Sequence, residues 1–425
     1  MSGGNDSMSV FVIGAGVSGL AFAKAYPGAQ VLEALSSVGG KAASFTVDTS
    51  AGPFRFDIGG HWFHHQHSPD VLKLLSGLSL LKHERQAYVL IDGQLYSFPI
   101  QNSYKQLPNE TLIAAIDAEL LNSQSREREP RHYDELLLHT YGRTLYEMFF
   151  RDYNKKMYGV TDLSAILIGK YDAVRNVPLH NKKGYNSEFY YPADNSGAMG
   201  IPSHLSKGLS ISYNCPVQSI HLKSKTLRIH DKIVKWDKLI STIPLTALVK
   251  MIVDFDPAML ELSCQLEASK GFILNIGIKK TSNHHKIDWV YIPSLNYHFH
   301  RVGFYSHVQP LAAPAGYDAM YVECSPLFFS NKLEAHSLIP IVIQELITLG
   351  FIAKEEDVAT VNPVYLEHNY CLPNPEVTSF INGYLNEHDL FSIGRYGSWH
   401  WSGQYDDMQQ AIQLASRFEK ISFTF

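Results

Sequence analysis

The sequence predicts an α/β fold (α+β over the whole chain), and three observations predict it. A short apolar run leads into closely spaced glycines near the start of the chain. The pattern turns helical between about residues 109 and 158, and strand-like runs fill most of residues 211–325. Because the chain has 425 residues, 45% of them hydrophobic, it can bury the cores of two or three cooperating domains.

The first element is a β-turn-α-β unit. Residues 8–13 form an apolar, β-branched run, residues 20–25 are helix-like, and residues 30–32 are again strand-like. Between the first strand and the helix, the spacing G-x-G-x-x-G is complete. The first glycine permits a tight turn, the second lets the backbone approach a pyrophosphate, and the third allows close packing of helix on sheet.

An acid follows this unit where dinucleotide-binding folds hydrogen-bond a ribose. Glu33 ends the second strand, nineteen residues after Gly14. The pyrophosphate would lie at the helix N-terminus, where N–H groups and the dipole favour anions. The alternative is an ordinary glycine-rich turn, but the full set of strand, glycines, helix, strand and acid predicts a dinucleotide site. The residues expected to form it are Gly14, Gly16, Val17, Ser18, Gly19, Glu33 and Ala34.

The later elements follow in chain order. Asp92 and Gly93 favour a two-residue hairpin turn between strands at 88–91 and 94–98. The helical pattern after residue 109 is interrupted by a charged run at 126–131, which is typical of an exposed loop. Strands are expected at 211–220, 226–229, 238–242, 272–278, 289–292, 299–305 and 320–325, and helices at 338–349 and about 406–418.

Charge and cysteine usage exclude several classes of protein. A net charge of -5 and a pI near 6.5 argue against a nucleic-acid partner. The four cysteines are far apart and form no C-x-x-C pair, so neither a zinc site nor a redox dithiol is suggested. No apolar run approaches the roughly 18 residues of a spanning helix. We therefore expect a soluble, cytoplasmic protein with a small-molecule substrate, and the sequence leaves its oligomeric state open.

A second glycine motif carries a family resemblance. Gly39, Gly40 and Lys41 follow Glu33, and such a Gly-Gly-basic step resembles the glutathione-reductase-like flavoproteins, especially the amine oxidase, protoporphyrinogen oxidase and UDP-galactopyranose mutase superfamily. Lys41 stands where Arg is common, which keeps the charge but loses the fork geometry. The resemblance implies non-covalent FAD on a Rossmann domain, an antiparallel-sheet substrate domain and a helical insert. The expected boundaries are 8–75, 195–265 and 385–425 for the FAD-binding domain, 76–105 and 266–384 for the sheet domain, and 106–194 for the insert.

The segment around Gly59, Gly60 and His61 resembles the one that passes the flavin in this superfamily, and a His after Gly-Gly is typical of the mutase branch. The resemblance implies that all three contact the cofactor and makes His61 a catalytic candidate. The following histidines at 64, 65 and 67 are interpreted as a polar turn. A metal site is the less favoured alternative, because no acidic partner is nearby.

Two further segments resemble the substrate side of the mutases. Tyr153 and Tyr158 precede a glycine as in a mutase signature, although the mutases have Trp where this chain has Tyr158; the alternative is that both are core aromatics. Arg301 lies in a segment that resembles a strand presenting an Arg to a substrate diphosphate. A guanidinium suits that role because its fork binds phosphate or carboxylate in bidentate fashion. The alternative for Arg301 is a salt bridge to a neighbouring carboxylate.

The C-terminal stretch from Gly394 resembles the closing FAD motif of the superfamily. By this resemblance Arg395 faces the flavin or a substrate anion, and Asp406 or Asp407 caps the last helix. Trp401 is a catalytic candidate at a position where the mutases have Tyr. The remaining residues expected at the cofactor are Val217, Gly394, Arg395, Asp407 and Met408.

Three functions remain open at this point. The first is an FAD-dependent oxidoreductase of amine-oxidase-like type, in which a small, anionic or sugar-derived substrate or an amine passes hydride to the flavin. The second is a sugar-nucleotide mutase of the UDP-galactopyranose mutase type. The third is a non-catalytic flavin-binding protein, which His61 and Arg395 argue against.

Overall fold

A computed structural model of the chain describes residues 8–64, 68–123, 130–169, 187–281 and 287–418. In chain order the strands are β1 (Val10–Ile13), β2 (Gln30–Leu32), β3 (Ser44–Thr49), β4 (Gly52–Asp57), β5 (Leu80–Glu84), β6 (Ala87–Ile91), β7 (Gln94–Ser97), β8 (Glu188–Pro192), β9 (Ser210–Ser212), β10 (Val217–His221), β11 (Thr226–Ile229), β12 (Lys232–Lys235), β13 (Lys238–Ser241), β14 (Gly271–Lys279), β15 (Trp289–Tyr291), β16 (Phe299–Phe304), β17 (Tyr317–Cys324), β18 (Val358–Leu366) and β19 (Leu390–Ser392).

The α-helices, again in chain order, are α1 (Val17–Ala25), α2 (Pro69–Leu74), α3 (Ile100–Ser103), α4 (Glu110–Ser123), α5 (Tyr133–Leu145), α6 (Arg151–Tyr158), α7 (Gly200–Ser206), α8 (Leu245–Met251), α9 (Pro257–Ser263), α10 (Tyr305–Val308), α11 (Lys332–Ser337), α12 (Ile339–Thr348), α13 (Pro375–Glu387), α14 (Gly394–Gly397) and α15 (Gln404–Phe418). No helix within the described ranges is both long and apolar enough to cross a membrane.

A five-stranded parallel sheet holds the predicted dinucleotide motif. Its strand order is β19-β13-β1-β2-β9, so the first strand of the chain lies at its centre. All four residues of β1 are buried, as a strand covered on both faces requires. Helices α1 and α15 pack together over one face, where the rings of Phe22 and Phe418 lie 6.2 Å apart. The predicted α/β fold is thereby confirmed.

A second large sheet has seven strands, in the order β18-β14-β17-β16-β15-β6-β7. The neighbouring strands are antiparallel except for β15 and β6, which pair in parallel, so the sheet is mixed rather than purely antiparallel as predicted. The parallel pair arises because the hairpin of β6 and β7 comes from much earlier in the chain and joins the edge of the sheet. Its turn residues Asp92 and Gly93 both have positive φ, 49° and 77°, which confirms the predicted hairpin.

The strand predicted at 211–220 was wrong as a single element. The structure divides it into β9, which extends the parallel sheet beside β2, and β10, which begins a separate three-stranded sheet. The break lies at Asn214, whose φ of 50° turns the chain out of the extended conformation. Most of the charged run at 126–131 lies outside the described residues.

Candidate active site

Packing between α1 and the parallel sheet requires glycine at two positions of the opening motif. Gly14 has a φ of 100°, and a Cβ there would lie 2.5 Å from Thr242 Oγ1. A Cβ on Gly19 would lie 2.1 Å from the carbonyl oxygen of Gly14. The helix therefore approaches the strand as closely as the motif predicts.

Gly16 has a different environment, which suits a bound pyrophosphate. It is the N-cap of α1 and has extended backbone, and no side chain caps the first turn. A Cβ placed on Gly16 would meet no protein atom within 4 Å. Gly394, from the distant C-terminal motif, closes over this turn so tightly that its Cβ would lie 2.4 Å from Ser18 Oγ. The helix N-terminus and the space beside Gly16 fit the phosphates of FAD.

The ribose acid and the second glycine motif meet at the same place. Glu33 is buried at the end of β2, where its carboxylate accepts hydrogen bonds from the N–H of Ala15 at 2.7 Å and of Leu35 at 2.8 Å. The N–H of Gly39 donates to the carbonyl of Ala15 at 2.9 Å. A Cβ on Gly40 would lie 3.3 Å from the Cα of Gly16. The exposed Ala34 follows Glu33 directly.

The C-terminal helix differs from the prediction at its start. Helix α15 begins at Gln404, so neither Asp406 nor Asp407 is its N-cap. Asp406 instead accepts from the N–H of Gly403 at 2.8 Å, reaching back from the first turn. Asp407 accepts from Ser402 Oγ at 2.5 Å, and burial raises its pKa to about 6.

Two other predicted cofactor residues are buried apolar side chains. Met408 lies in α15 within the core that covers α1. Val217, the first residue of β10, packs in the cluster that contains Leu32 at the end of β2. The burial of these two side chains does not decide whether they contact FAD, so both contacts stay predictions.

One cavity of about 570 Å³ gathers most of the predicted substrate-side residues. Those that line it are His61, Tyr153, Arg301, Arg395 and Trp401, together with Lys41 and Gly60, which were predicted at the cofactor. Gly60 leaves room for its neighbours, since a Cβ there would lie 2.4 Å from Tyr321 Oη. Gly59, with a φ of 83°, lies beside this wall, and its Cβ would be 3.4 Å from Glu323 Oε1.

Along one wall runs what we call the aromatic row, a series of ring contacts with a guanidinium at each end. Its successive separations are Arg85 to Phe98 5.0 Å, Phe98 to Tyr291 4.4 Å, Tyr291 to Tyr153 5.2 Å, Tyr153 to His300 5.9 Å, His300 to Tyr370 6.5 Å, Tyr370 to Trp401 4.8 Å and Trp401 to Arg395 5.1 Å. Every member except His300 lines the cavity. The row offers aromatic surface between two cationic ends, and its one stacked pair is Tyr370 and Trp401.

Arg301 pairs with a carboxylate of its own sheet, which is the alternative that the sequence left open. Its Nε donates to Glu323 Oε1 at 3.0 Å, and Nη2 donates to the same oxygen. On the other carboxylate oxygen, Tyr370 Oη donates at 3.3 Å and His300 Nε2 lies 3.2 Å away. Burial alone would raise the pKa of Glu323, but Arg301 and His300 outweigh it and hold that pKa at about 2. Both Arg301 and Glu323 still line the cavity.

Arg395 and Lys41 bring two further cations to the cavity. Arg395 donates from Nε to the carbonyl of Ser402 at 2.8 Å, and Lys41 Nζ donates to the carbonyl of His368 at 2.9 Å. Burial, with the nearby Arg395, lowers the pKa of Lys41 to about 8. In the part of the chain that the structure describes, the ion pairs within 4.0 Å include neither of these cations. The two groups therefore suit an anionic occupant.

The first two predicted histidines are partly buried, and their lowered pKa values keep them neutral near pH 7. Burial, reinforced by Arg395, lowers the pKa of His61 to about 4. His64 also lines the cavity, its Nδ1 lies 3.0 Å from the carbonyl oxygen of Glu188, and burial lowers its pKa to about 4. His64 is thus part of the wall rather than an exposed turn, while the histidines at 65 and 67 lie outside the described residues. Across those residues no group of three or more metal-ligating side chains is found.

The two predicted tyrosines have different environments. Tyr153 lines the cavity and stacks on Phe149 at 5.0 Å. Tyr158 is buried behind the wall, with its ring 5.7 Å from Tyr133 and 6.3 Å from Tyr370. The position of Tyr158 matches the alternative of a core aromatic.

Three polar residues of the cavity were missed by the sequence analysis: Glu323, Tyr370 and Arg85. An acid inside the apolar run that precedes Cys324 was the available signal for Glu323, because a carboxylate is rarely buried in a strand without a partner. Tyr370 and Arg85 lie in segments with no regular pattern. Only the fold brings them to the wall.

Comparison with protein families decides the class of this site. A family model described as flavin containing amine oxidoreductase matches residues 17–272. The chain belongs to this family. Its cofactor is therefore FAD, and it is an FAD-dependent enzyme of the oxidoreductase type, in agreement with the glycine motifs and the space beside Gly16.

Several solved structures share the fold over nearly the whole chain. A reduced UDP-galactopyranose mutase superposes with a TM-score of 0.84 at 23% identity, covering 97% of this chain and 94% of the other. A candidate protoporphyrinogen oxidase from Exiguobacterium sp. 255-15 gives 0.75 at 16% identity over 98% and 99%. Cyclohexylamine oxidase from Brevibacterium oxydans IH-35A gives 0.69 at 14% identity over 97% and 100%. These identities show a common fold.

Proposed function

We propose that this flavoenzyme acts on an anionic, sugar-derived substrate, with a nucleotide sugar as the first candidate, rather than on an amine. The charge of the cavity wall carries the proposal. Its cations are Lys41, Arg85, Arg301 and Arg395. Its carboxylates are each engaged within the protein: Glu188 with Lys82, Glu323 with Arg301, and Asp406 with the N–H of Gly403. A substrate ammonium would therefore enter a cavity whose described carboxylates already have partners, while Lys41 and Arg395 form no ion pair within 4.0 Å among the described residues.

The aromatic row supports a substrate that has both a flat ring and anionic groups. Tyr370 and Trp401 stack with an interplanar angle of 9°, and Arg395 lies over the indole. Aromatic faces stack on nucleobases of any sequence, and a guanidinium binds phosphate or carboxylate. A nucleotide diphosphate has these two parts in one molecule.

The preferred reaction is oxidation of a substrate carbon. Bound FAD would supply a two-electron acceptor or, in its reduced form, a nucleophile. In this scheme Arg395 and Lys41 bind the anionic part, and the aromatic row orients the substrate. His61 is neutral and can accept a proton, although its pKa of about 4 makes it a weak base.

That weak basicity favours a second candidate, a redox-neutral isomerisation of the mutase type. Oxidation of an alcohol carbon requires removal of the hydroxyl proton, and neither His61 nor Glu323 is a good base for it. Glu323 has a pKa of about 2 and is held by Arg301. Ring isomerisation of a sugar nucleotide needs no net removal of a proton.

The test compares substrates on the purified, FAD-loaded enzyme under anaerobic conditions. UDP-galactopyranose, UDP-glucose, cyclohexylamine and putrescine are each added to the oxidised enzyme, and bleaching of the flavin absorbance is followed. The enzyme is then reduced with dithionite, and UDP-galactopyranose is analysed for furanose product. Arg395→Met is the test variant, and Arg417→Met, at an exposed position of α15, is its control.

Each result supports one of the candidate reactions. Bleaching by a nucleotide sugar supports oxidation of that substrate, and furanose product from the reduced enzyme supports isomerisation. Either activity should fall in Arg395→Met and stay in Arg417→Met. Bleaching by the amines alone would reject the anionic substrate and restore amine oxidation.

A further inference from the structure

Lys156 is a fully buried lysine behind the wall of the cavity. Its exposed fraction is 0%, and among the described residues no other lysine is buried. Its Nζ donates to the carbonyl of Ile292 at 3.0 Å and to that of Ser294 at 2.7 Å. Both acceptors are backbone carbonyls, so the ammonium is held by dipoles rather than by an ion pair.

Packing alone does not explain a lysine at this position. Burial lowers the pKa of Lys156 to about 7, so the charged form is costly there. A methionine would fill similar space without burying a charge, and apolar replacements of buried ions often stabilise proteins. What the lysine adds is a pair of directed hydrogen bonds to one particular turn.

The two elements that Lys156 joins carry neighbouring parts of the cavity wall, since the rings of Tyr153 and Tyr291 lie 5.2 Å apart. Helix α6 contributes Tyr153, Asn154 and Met157. The carbonyls belong to the turn between β15 and β16, whose flanking strands contribute Tyr291 and Arg301. The far end of this turn is held at His298, whose N–H donates to Glu345 at 2.9 Å and whose carbonyl accepts from the N–H of Ser325 at 2.8 Å. Lys156 holds the near end, because one buried cation can bind two carbonyls at once.

A second contact secures the same end of α6. Ser325 Oγ donates to the carbonyl of Lys156 at 2.8 Å, just after strand β17, which carries Glu323. A Cβ on Gly159, which ends the helix, would lie 2.8 Å from Pro326 Cγ. The helix end is therefore fixed against β17 on one side and, through Lys156, against the turn before β16 on the other.

We propose that Lys156 is a positioning residue, whose two hydrogen bonds fix α6 against the turn between β15 and β16 and so set the position of Tyr153 against Tyr291 in the aromatic row. The proposal rests on the proposed function only for the nature of the ligand. The positioning itself is independent of what the cavity binds.

The experiment uses three variants of the FAD-loaded enzyme. Lys156→Met removes both hydrogen bonds, Lys156→Gln keeps an NH2 group that can donate to both carbonyls, and Lys155→Met changes the partly exposed neighbour as a control. Amide hydrogen exchange of residues 151–158 and 292–300 reports the contact between the two elements. Titration with UDP measures ligand affinity in the cavity, and the FAD content shows whether the rest of the fold is intact.

In Lys156→Met we expect faster exchange in both segments and UDP affinity about tenfold weaker, because a small misplacement of binding groups has effects of this order. FAD content should stay equal to that of the wild type, which separates positioning from general destabilisation. The exchange rates and UDP affinity of Lys156→Gln should lie between those of Lys156→Met and the wild type. Those of Lys155→Met should match the wild type.

Unchanged exchange in both Lys156 variants would overturn the proposal. If Lys156→Met does not fold, Lys156→Gln gives the same comparison with a smaller increase in exchange. A wild-type enzyme that does not bind UDP would count against a nucleotide substrate. Faster exchange in Lys156→Met would still support the positioning role in that case, so the two failures are distinguishable.

Discussion

Arg301 and Glu323 are directly opposed on the neighbouring antiparallel strands β16 and β17, and their side chains pair inside the protein. The guanidinium donates to one carboxylate oxygen, and Tyr370 donates to the other. One carboxylate therefore fixes a cation of the cavity and one end of the stacked pair of Tyr370 and Trp401.

Glu323→Gln should destabilise the protein by about 2–4 kcal/mol, because removal of one partner leaves the other charge buried without compensation. Denaturation by urea at pH 7 measures the effect. Glu367→Gln is the matched control, since Glu367 forms an exposed ion pair with Lys270 and should contribute under about 1 kcal/mol. Equal changes in the two variants would contradict a special role for the buried pair.

The same carboxylate predicts a dependence of stability on pH. The pKa of Glu323 is depressed to about 2 from an ordinary value of 4.5, so its stabilising effect is complete above pH 4.5 and is lost as the pH falls towards 2. The wild type should therefore lose more stability than Glu323→Gln over this range. Parallel pH profiles for the two proteins would show that the pair does not produce the loss.

Gly16→Ala should separate cofactor binding from folding. A Cβ at Gly16 meets no protein atom within 4 Å and the backbone there is extended, so the apoprotein should keep its stability within about 1 kcal/mol. The new methyl group occupies space expected for the pyrophosphate, so FAD affinity should fall at least about tenfold. Gly19→Ala, whose Cβ would lie 2.1 Å from a backbone oxygen, should lose both stability and FAD. Fluorescence titration of the apoprotein with FAD tests both variants.

Anion binding in the cavity should weaken as the pH rises through about 8. The pKa of Lys41 is lowered to about 8, so this cation is present below that pH and is lost above it. The affinity of the FAD-loaded enzyme for UDP, measured from pH 6.5 to 9.5, should show this step. Lys41→Arg should bind UDP with constant affinity from pH 6.5 to 9.5, because an arginine keeps its charge. If the step in UDP affinity persists in Lys41→Met, a group other than Lys41 causes it.

Trp401 and Tyr158 should differ in their effect on the substrate. Trp401→Leu removes the ring between Tyr370 and Arg395 and should weaken UDP binding by about tenfold, in line with the loss of one stacking platform. Tyr158→Phe changes a buried ring behind the wall and should leave UDP affinity within about twofold. Calorimetric titration compares the two variants. A large effect of Tyr158→Phe would place its hydroxyl at the substrate after all.

Local patterns predicted the cofactor half of the protein well. The glycine spacing requires a strand, a tight turn and a closely packed helix, and those requirements are local enough to identify β1 and α1. Gly39 and Gly40 were expected at the cofactor, and the structure brings them against Gly16. The turn at Asp92 was predictable for the same reason, since few residues adopt positive φ in succession.

The substrate half was less predictable because it depends on register and on pairing between distant segments. Glu323 could be recognised as an acid in an apolar run, but its partner follows only from the alignment of β16 with β17. The run at 211–220 does contain two turn signals, Asn214 and Pro216, but the sheet that each half joins depends on pairing with distant segments. Asp406 resembles an N-cap in the sequence, but helix α15 begins two residues earlier, at Gln404. Asp406 therefore lies inside the first turn and accepts a hydrogen bond from the N–H of Gly403.

The strand order of the parallel sheet has a consequence for biosynthesis. The edge strand β19, at Leu390–Ser392, is made long after the central strand β1, yet it pairs with β13 in the same sheet. Gly394, which closes over the turn at Gly16, emerges later still. Most of the chain must leave the ribosome before the sheet is complete, and until then apolar strands of the nascent chain stay unpaired. Such non-local closure is expected to fold slowly, and we expect FAD to be captured late in assembly.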